Sequence, residues 1–323
     1  MKRILSLILV AVLMLGTLTF VGCGKTLKLG LGVYTTASAT DVTADKNGEG
    51  QVTMTVAAVL VDANDKIVKC FIDCADYIVA YTADGKAIAN DSFATKYELG
   101  DDYNMVKFGK ANKEWYAQAD AFCALVAGKS IDEVKALVVS DNEDTNEVIK
   151  AGCTIDVSDF ILAIEKAVAS AVASNATAKD TLKLGVSASQ ETNDATEDKD
   201  GSNELETTFF AAAVNSKGQI TAAKAEAVQV AFTFDTNGAS KFGADQIVAG
   251  KYEKGEAYNM VQYGKANREW YAQADVFCSA TIGKTADEVS ALQGESNKGS
   301  DEVKNAGCTI LVDGFVKAAS KVK

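Results

Sequence analysis

The feature that most constrains the fold is an internal duplication. The segment from Tyr103 to Cys123 recurs 155 positions later, as Tyr258 to Cys278, with only four of its 21 positions changed. The same offset relates the two Ala-Gly-Cys-Thr motifs at 151–154 and 306–309. A period this long is typical of two tandem domains, because solenoid repeats span only about 20–50 residues. We predict one domain at 23–175 and its second copy at 176–323, with the junction in the Ala/Ser/Asn-rich stretch near 170–179.

Each copy opens with patterns typical of a β-hairpin. In the first copy, residues 51–61 alternate in hydrophobicity, Ala63-Asn64-Asp65 predicts a turn, and a second arm begins at Ile67. The second copy repeats this order, with a strand, a turn and a second strand at 207–214, at 216–218 and from 220 onward.

The second part of each copy has helical patterns. Trp115, Ala119, Phe122 and Val126 form one apolar stripe at helical spacing. A capping box begins the next helix of each copy, at Ser130–Glu133 in the first and at Thr285–Glu288 in the second. A final apolar stripe predicts a last helix in each copy, after Ser158 in the first and around Phe315 in the second. Strands followed by helices predict an α+β fold made of two tandem repeated domains.

The N-terminus predicts export. Lys2 and Arg3 precede an uncharged apolar run of about 17 residues, which ends at Val21-Gly22-Cys23. This end resembles the lipobox of bacterial lipoprotein precursors, and the resemblance implies cleavage after residue 22 and a lipid on Cys23. The alternative is an uncleaved anchor, because about 17 apolar residues just reach across a bilayer. We expect the mature chain to lie outside the cytoplasm, held to the cell membrane by lipid.

Composition excludes several classes of function. The net charge of −12 and the scattered lysines exclude nucleic acid as a partner. The chain contains no His, which excludes imidazole metal sites and His-based triads. No Gly-x-Ser-x-Gly elbow occurs either, so nothing supports a hydrolase.

The opening hairpin and the Ala-Gly-Cys-Thr motif before the last helix resemble the FMN-binding domain family of secreted redox proteins. That family includes the C subunit of sodium-pumping quinone reductases and the flavinylated lipoproteins of extracellular electron transfer. The stretches that carry the resemblance are Val52–Asp62 with Asp65–Val68, Ala151–Ala167 and Ala306–Ala319. Ala151 and Cys153, and their counterparts Ala306 and Cys308, stand where the family has Ser and Ala.

In that family the motif threonine carries FMN through a phosphoester made by a flavin transferase. The resemblance therefore implies Thr154 and Thr309 as attachment points, with the motif neighbours Gly152, Cys153, Gly307 and Cys308 as cofactor-binding residues. The glycines would allow close approach, and the N-terminus of the following helix would offer N–H groups to a phosphate. Trp115 and Trp270 would offer a ring face to the flavin. Covalent FMN, a non-covalent flavin or other small ligand, and a fold without cofactor remain alternatives.

The cysteines also recur. Cys123 and Cys153 are repeated as Cys278 and Cys308, which outside the cytoplasm predicts one disulfide in each copy. The alternative is that they are small buried apolar residues. Cys70 and Cys74 occur in the first copy alone, and the corresponding positions of the second copy hold Ala223 and Ala227. The spacing of these two cysteines matches no metal motif.

Two functions remain. The first is a flavin-based electron carrier at the cell surface, working with a flavin transferase and a membrane redox partner. The second is a binding or structural lipoprotein with the same fold and no cofactor. Neither reading requires a turnover enzyme.

Overall fold

The computed structural model describes residues 25–138, 146–243 and 245–322. The predicted signal peptide and Cys23 lie outside these ranges, so the lipid anchor stays a prediction. None of the helices in the described ranges combines the length and apolarity needed to cross a bilayer.

The strands of the first copy form an antiparallel sheet, and the predicted hairpin is confirmed. The strands are β1 (Thr26–Thr40), β2 (Gly48–Val61), β3 (Ile67–Tyr81) and the short β4 (Ala87–Ile88). The carboxylate of Asp62 shapes the turn between β2 and β3, because it accepts hydrogen bonds from the N–H groups of Asn64 and Lys66 at 2.8 and 3.0 Å.

Strand β1 was not predicted, although its sequence carries the signal. Leu27, Leu29, Leu31 and Val33 alternate along it and are all buried on one face. The stretch near 170–179, which was predicted as the junction between the copies, contains a strand that was not predicted. This strand, β5 (Val172–Thr177), pairs with β1.

The second copy forms a three-stranded antiparallel sheet. Its strands are β6 (Thr181–Asn193), β7 (Gly201–Val214) and β8 (Ile220–Phe234). The predicted turn at 216–218 is confirmed, with Asn215 Oδ1 accepting from the N–H groups of Lys217 and Gln219. A further short strand, β9 (Gln246–Ile247), pairs with β1 and so joins the sheet of the first copy.

The two sheets pack face to face and share one hydrophobic core. Met54 of the first sheet and Phe209 of the second belong to this cluster. The sheets approach closely at Gly50, where an added Cβ would lie 2.3 Å from the ring of Phe232. At one end of the interface Tyr81 and Phe234, the last residues of β3 and β8, stack with ring centroids 4.4 Å apart.

Helices cover the outer face of each sheet. In the first copy they are α1 (Lys96–Leu99), α2 (Met105–Gly109), α3 (Trp115–Val126), α4 (Ile131–Lys135), α5 (Asn146–Ala151) and α6 (Ser158–Ala169). In the second they are α7 (Lys251–Lys254), α8 (Trp270–Thr281), α9 (Asp301–Ala306) and α10 (Asp313–Ala319). Each helical layer has its own core against its sheet. The result is a helix–sheet–sheet–helix arrangement, which confirms the α+β class.

Most of the predicted helix signals form as expected. Trp115, Ala119, Phe122 and Val126 are the buried stripe of α3. Ser130 and Glu133 form the predicted capping box of α4. Thr285 and Glu288 exchange the same hydrogen bonds, but the segment that follows, Glu288–Leu292, is a 3₁₀ helix.

Candidate cofactor attachment site

The two motif threonines have the same surroundings. Thr154 is exposed, and both its N–H and its hydroxyl donate to Oε1 of Gln118, at 2.8 and 3.0 Å. Thr309 is exposed and donates in the same way to Oε1 of Gln273, at 2.7 and 3.1 Å. In each copy the fold therefore fixes one threonine hydroxyl against a glutamine, and we call this threonine–glutamine arrangement the frame of the site.

Each glutamine is a buried link between the motif loop and the start of a long helix. Gln118 is 1% exposed, and its Nε2 donates to the carbonyl of Lys113 at 3.0 Å, just before α3. Gln273 does the same with the carbonyl of Arg268 at 2.9 Å, just before α8. Because a buried amide must be paired, these bonds fix the loop against the helix. The sequence analysis did not single out either glutamine, although both lie in the near-identical segment.

The backbone conformation at the second position of each motif requires a glycine. Gly152 and Gly307 have φ of 95° and 109°, in the region that glycine adopts without strain. A Cβ added to Gly152 would lie 2.3 Å from Nζ of Lys113, and one added to Gly307 would lie 2.7 Å from Cζ of Arg268. A basic head group thus lies over each glycine, two residues from the threonine hydroxyl.

The expected helix N-terminus is displaced from the threonine. Helix α6 begins at Ser158, four residues beyond Thr154, and the N–H of Ser158 donates to the carboxylate of Asp156 at 2.8 Å. Asp159 lies in the first turn, where burial, and then repulsion from Asp156, raise its pKa. Two carboxylates therefore occupy the helix end that we expected to bind a phosphate, and the N–H of Thr154 is already used.

A cleft lies beside each motif. The cleft of the first copy has a volume of about 210 Å³ and that of the second about 260 Å³. The equivalent residues Trp115 and Phe160, or Trp270 and Phe315, line both. Each Trp is only 4% exposed, so the expectation that these rings present an open face to a flavin is wrong, and only part of each ring borders the cleft.

A lysine that the sequence analysis missed lies near each cleft. Lys96 is 3.5 Å from Asp76 and lies over the ring of Tyr103. Its counterpart Lys251 is 2.8 Å from Glu206 and lies over the ring of Tyr258. Each ammonium group already has a carboxylate partner, so neither is an uncompensated charge.

A buried carboxylate supports the first short helix of each copy. Burial raises the pKa of Asp73 to about 7, against the opposing effect of hydrogen bonds from Thr95 and from the N–H groups of Tyr97 and Cys74. Glu226 occupies the equivalent strand position, and burial raises its pKa to about 7 although it accepts hydrogen bonds from the N–H groups of Tyr252, Ala227 and Glu253. These carboxylates were not predicted, because their partners are distant in sequence.

The cysteines differ from expectation. No disulfide joins any two of the six cysteines in the described ranges, so neither predicted disulfide is formed there. The neighbouring Cys70 side chain, together with burial, raises the pKa of the Cys123 thiol. Cys153 and Cys308 are buried beside the motif, and the Cys153 thiol is 3.9 Å from the carbonyl of Ile155. Within the described ranges, no group of three or more His, Cys, Asp or Glu is placed to hold a metal ion.

One part of the near-identical segment is exposed. Phe108 is 74% exposed and its counterpart Tyr263 is 76% exposed, while Val106 and Val261 are both 45% exposed. The backbone of this loop is fixed by Glu114, which accepts from the N–H groups of Met105 and Val106, and Glu269 fixes the second loop equivalently.

Comparison with known proteins gave no relatives. No family model, no curated protein and no solved structure matches this chain. The resemblance to the FMN-binding family therefore stays a prediction.

Proposed function

We propose that this protein is a lipid-anchored electron carrier outside the cytoplasm, with FMN esterified to Thr154 and Thr309. The observation that carries the proposal is the matched frame of the two threonines. Each hydroxyl is exposed to an attaching enzyme and is held by a buried glutamine, with a basic side chain over the neighbouring glycine.

The residues of this frame fit a phosphoester. Each threonine hydroxyl directs its hydrogen at glutamine Oε1, which leaves its oxygen lone pairs on the other side. Lys113 or Arg268 supplies positive charge close to where the phosphoryl oxygens of an ester would be. After esterification the threonine N–H would still donate to the glutamine, so the loop keeps its anchor.

The same geometry favours covalent attachment over non-covalent binding. Clefts of about 210 and 260 Å³ are smaller than the roughly 300–1,000 Å³ that enclose most small ligands. In the first copy the carboxylates of Asp156 and Asp159 would repel a free phosphate at the start of α6. A ligand that the clefts can only partly bury would bind weakly through its contacts alone, and a covalent ester would keep it attached.

The roles of this chain's residues are to hold and to orient. FMN, when bound, supplies the ability to accept and release electrons. Gln118 and Gln273 would fix the attachment points, while Trp115 with Phe160, and Trp270 with Phe315, give each cleft a rigid apolar wall. No proton-transfer residue is required, which agrees with a chain that has no His.

The proposed anchor also sets an orientation. Two residues, Gly24 and Lys25, separate Cys23 from Thr26 at the start of β1, so the three Cα–Cα steps between them reach at most about 11 Å. Lys28 pairs with Val61, so the β2–β3 turn lies at this same end of the sheet. A lipid on Cys23 would therefore hold this end at the membrane.

The test is the intact mass and visible spectrum of the mature protein purified from its native host. We expect the mass of two FMN esters and absorption of blue light. Thr154→Ala and Thr309→Ala should each remove one ester, whereas Thr196→Ala, which replaces an exposed threonine outside the motifs, should remove none. A colourless protein with unmodified polypeptide mass apart from lipid would refute the proposal.

A cofactor-free binding or structural lipoprotein is the second candidate. It is favoured because polar residues of the repeated segment already form hydrogen bonds within their own copy. These residues are Glu114, Gln118 and Asp120. Under this candidate the repeated segment is preserved for packing. The native protein would then be colourless, and added FMN would not change its fluorescence.

A further inference from the structure

We infer that Cys70 and Cys123 are the site of a disulfide that joins β3 to α3 in the oxidised protein. This inference does not depend on the presence of flavin. It replaces the Cys123–Cys153 pairing that the recurrence of the cysteines predicted.

The geometry of β3 places one cysteine opposite α3. Cys70, Ile72 and Cys74 alternate along the strand and face the helical layer, where they join its hydrophobic core. Cys123 lies in the last turns of α3 and packs against the same hydrophobic cluster as Cys70, and the Cys70 side chain and the Ile72 backbone are the neighbours that shift its pKa. Cys74 is four residues further along the strand, about 13 Å from Cys70. Cys70 is therefore the strand cysteine that Cys123 reaches.

The other repeated cysteine has a different position. Cys153 is fully buried beside the motif loop and directs its thiol towards the carbonyl of Ile155. Cys308 is buried in the same way and lies next to the backbone of Ile310, two residues along the chain. These cysteines are placed alike in both copies, whereas a cysteine on the strand occurs in the first copy alone.

The second copy is a natural control for the pair. Ala223 occupies the strand position that corresponds to Cys70, as the registers Cys70–Val59 and Ala223–Ala212 show. Cys278 corresponds to Cys123 and is buried in the equivalent core. The second copy thus has the helix cysteine without its strand partner.

The reaction needs an oxidant, and a low-molecular-weight disulfide such as cystine supplies it. Cys70 is half-buried, and its thiol would attack cystine to give a mixed disulfide and release one cysteine. Cys123 would then attack the Cys70 sulfur, lose its proton and release the second cysteine. In total, two protein thiols are oxidised and one cystine is reduced to two cysteines. The neighbouring Cys70 side chain, together with burial, raises the pKa of Cys123, which is why Cys70 attacks first.

The experiment is peptide mapping of the full mature protein after treatment with cystine. Trypsin places Cys123 in peptide 114–129 and Cys153 in peptide 151–166, while Cys70 and Cys74 share peptide 70–86. Cys74→Ala, the residue of the second copy at this position, makes the assignment unique. We expect a linkage between 70–86 and 114–129, lost in Cys70→Ala and in Cys123→Ala, and reversed by reductant.

A matched variant extends the test to the second copy. Ala223→Cys should create a new linkage between position 223 and Cys278, which the parent protein cannot form. A linkage of Cys123 to Cys153, a stable cysteine adduct on Cys70, or six thiols that all remain free after cystine treatment would each overturn the inference.

Discussion

The two halves of the molecule keep the same polar contacts and differ in the side chains around them. Tyr97 donates to Asp120 at 3.3 Å, and Tyr252 donates to Asp275 at 3.1 Å. The threonine–glutamine contacts agree equally well between the halves. By contrast, Asp159 at the start of α6 corresponds to a glycine, Gly314, in α10.

This difference shows what preserves the repeated segment. Buried hydrogen-bonding groups tolerate little change, because each unpaired partner costs free energy. Outside this shared set of contacts, as at the starts of α6 and α10, the side chains of the two copies differ. The predictions below compare the halves directly, from the largest expected effect to the smallest.

The largest effect should come from the two tryptophans. Trp115 packs against Phe160 with ring centroids 5.7 Å apart, and Trp270 packs against Phe315 at 5.5 Å. Trp115→Ala and Trp270→Ala should each lower the free energy of unfolding by about 3–5 kcal/mol, measured with urea. Losses that differ by more than about 2 kcal/mol would break the equivalence of the two cores.

The next effect is a shared dependence on pH. Burial raises the pKa of Asp73 and of Glu226 to about 7, so each side chain is protonated in the folded protein and ionised in the unfolded chain between roughly pH 4 and 7. The unfolded state then binds fewer protons, and stability from these groups falls as pH rises through this range, by on the order of 3–4 kcal/mol per group.

Amide variants test this pH dependence. Asp73→Asn and Glu226→Gln remove the titration, so their stability relative to the wild type should rise from pH 4 to pH 7 and stay constant above it. Urea unfolding at intervals of pH measures the difference. A constant difference across the range would show that neither carboxyl titrates there.

A smaller effect is expected at the glutamines. Gln118→Ala leaves the N–H of Thr154 and the carbonyl of Lys113 without their partner, at a cost of about 1–3 kcal/mol. Gln273→Ala should cost the same amount. Gln262→Ala, at an exposed position, is the control and should have no measurable effect.

The smallest effect is expected at the exposed aromatic residues. Phe108→Ser and Tyr263→Ser should change the free energy of unfolding by less than about 0.5 kcal/mol, because both side chains are largely in solvent. Thermal unfolding measures this. A larger loss would place these loops in a contact within the fold.

The sequence predicted local structure better than long-range contacts. The hairpin of β2 and β3, helix α3 and the capping box at Ser130 have short-range signals and were predicted. The packing of one sheet on the other was not, because alternation along β2 shows that one face is buried but not what covers it.

The candidate site shows the same limit. The motif identified Thr154 and Gly152, while Gln118 and Lys113 were missed because their contacts join segments far apart in the chain. The start of α6 after Ser158 was predicted, but the carboxylates of Asp156 and Asp159 at the helix end expected to bind a phosphate were not. The pairing of Cys123 with Cys70 was missed because the recurrence of Cys153 pointed elsewhere.

The central claim is that the two threonines are equivalent FMN attachment points, and peptide-level occupancy in the native protein tests it most directly. Trypsin releases Thr154 in peptide 151–166 and Thr309 in peptide 305–317. We predict that both peptides carry one FMN phosphoester each, at comparable occupancy. Finding both peptides unmodified, or an FMN ester on any other residue, would contradict the account.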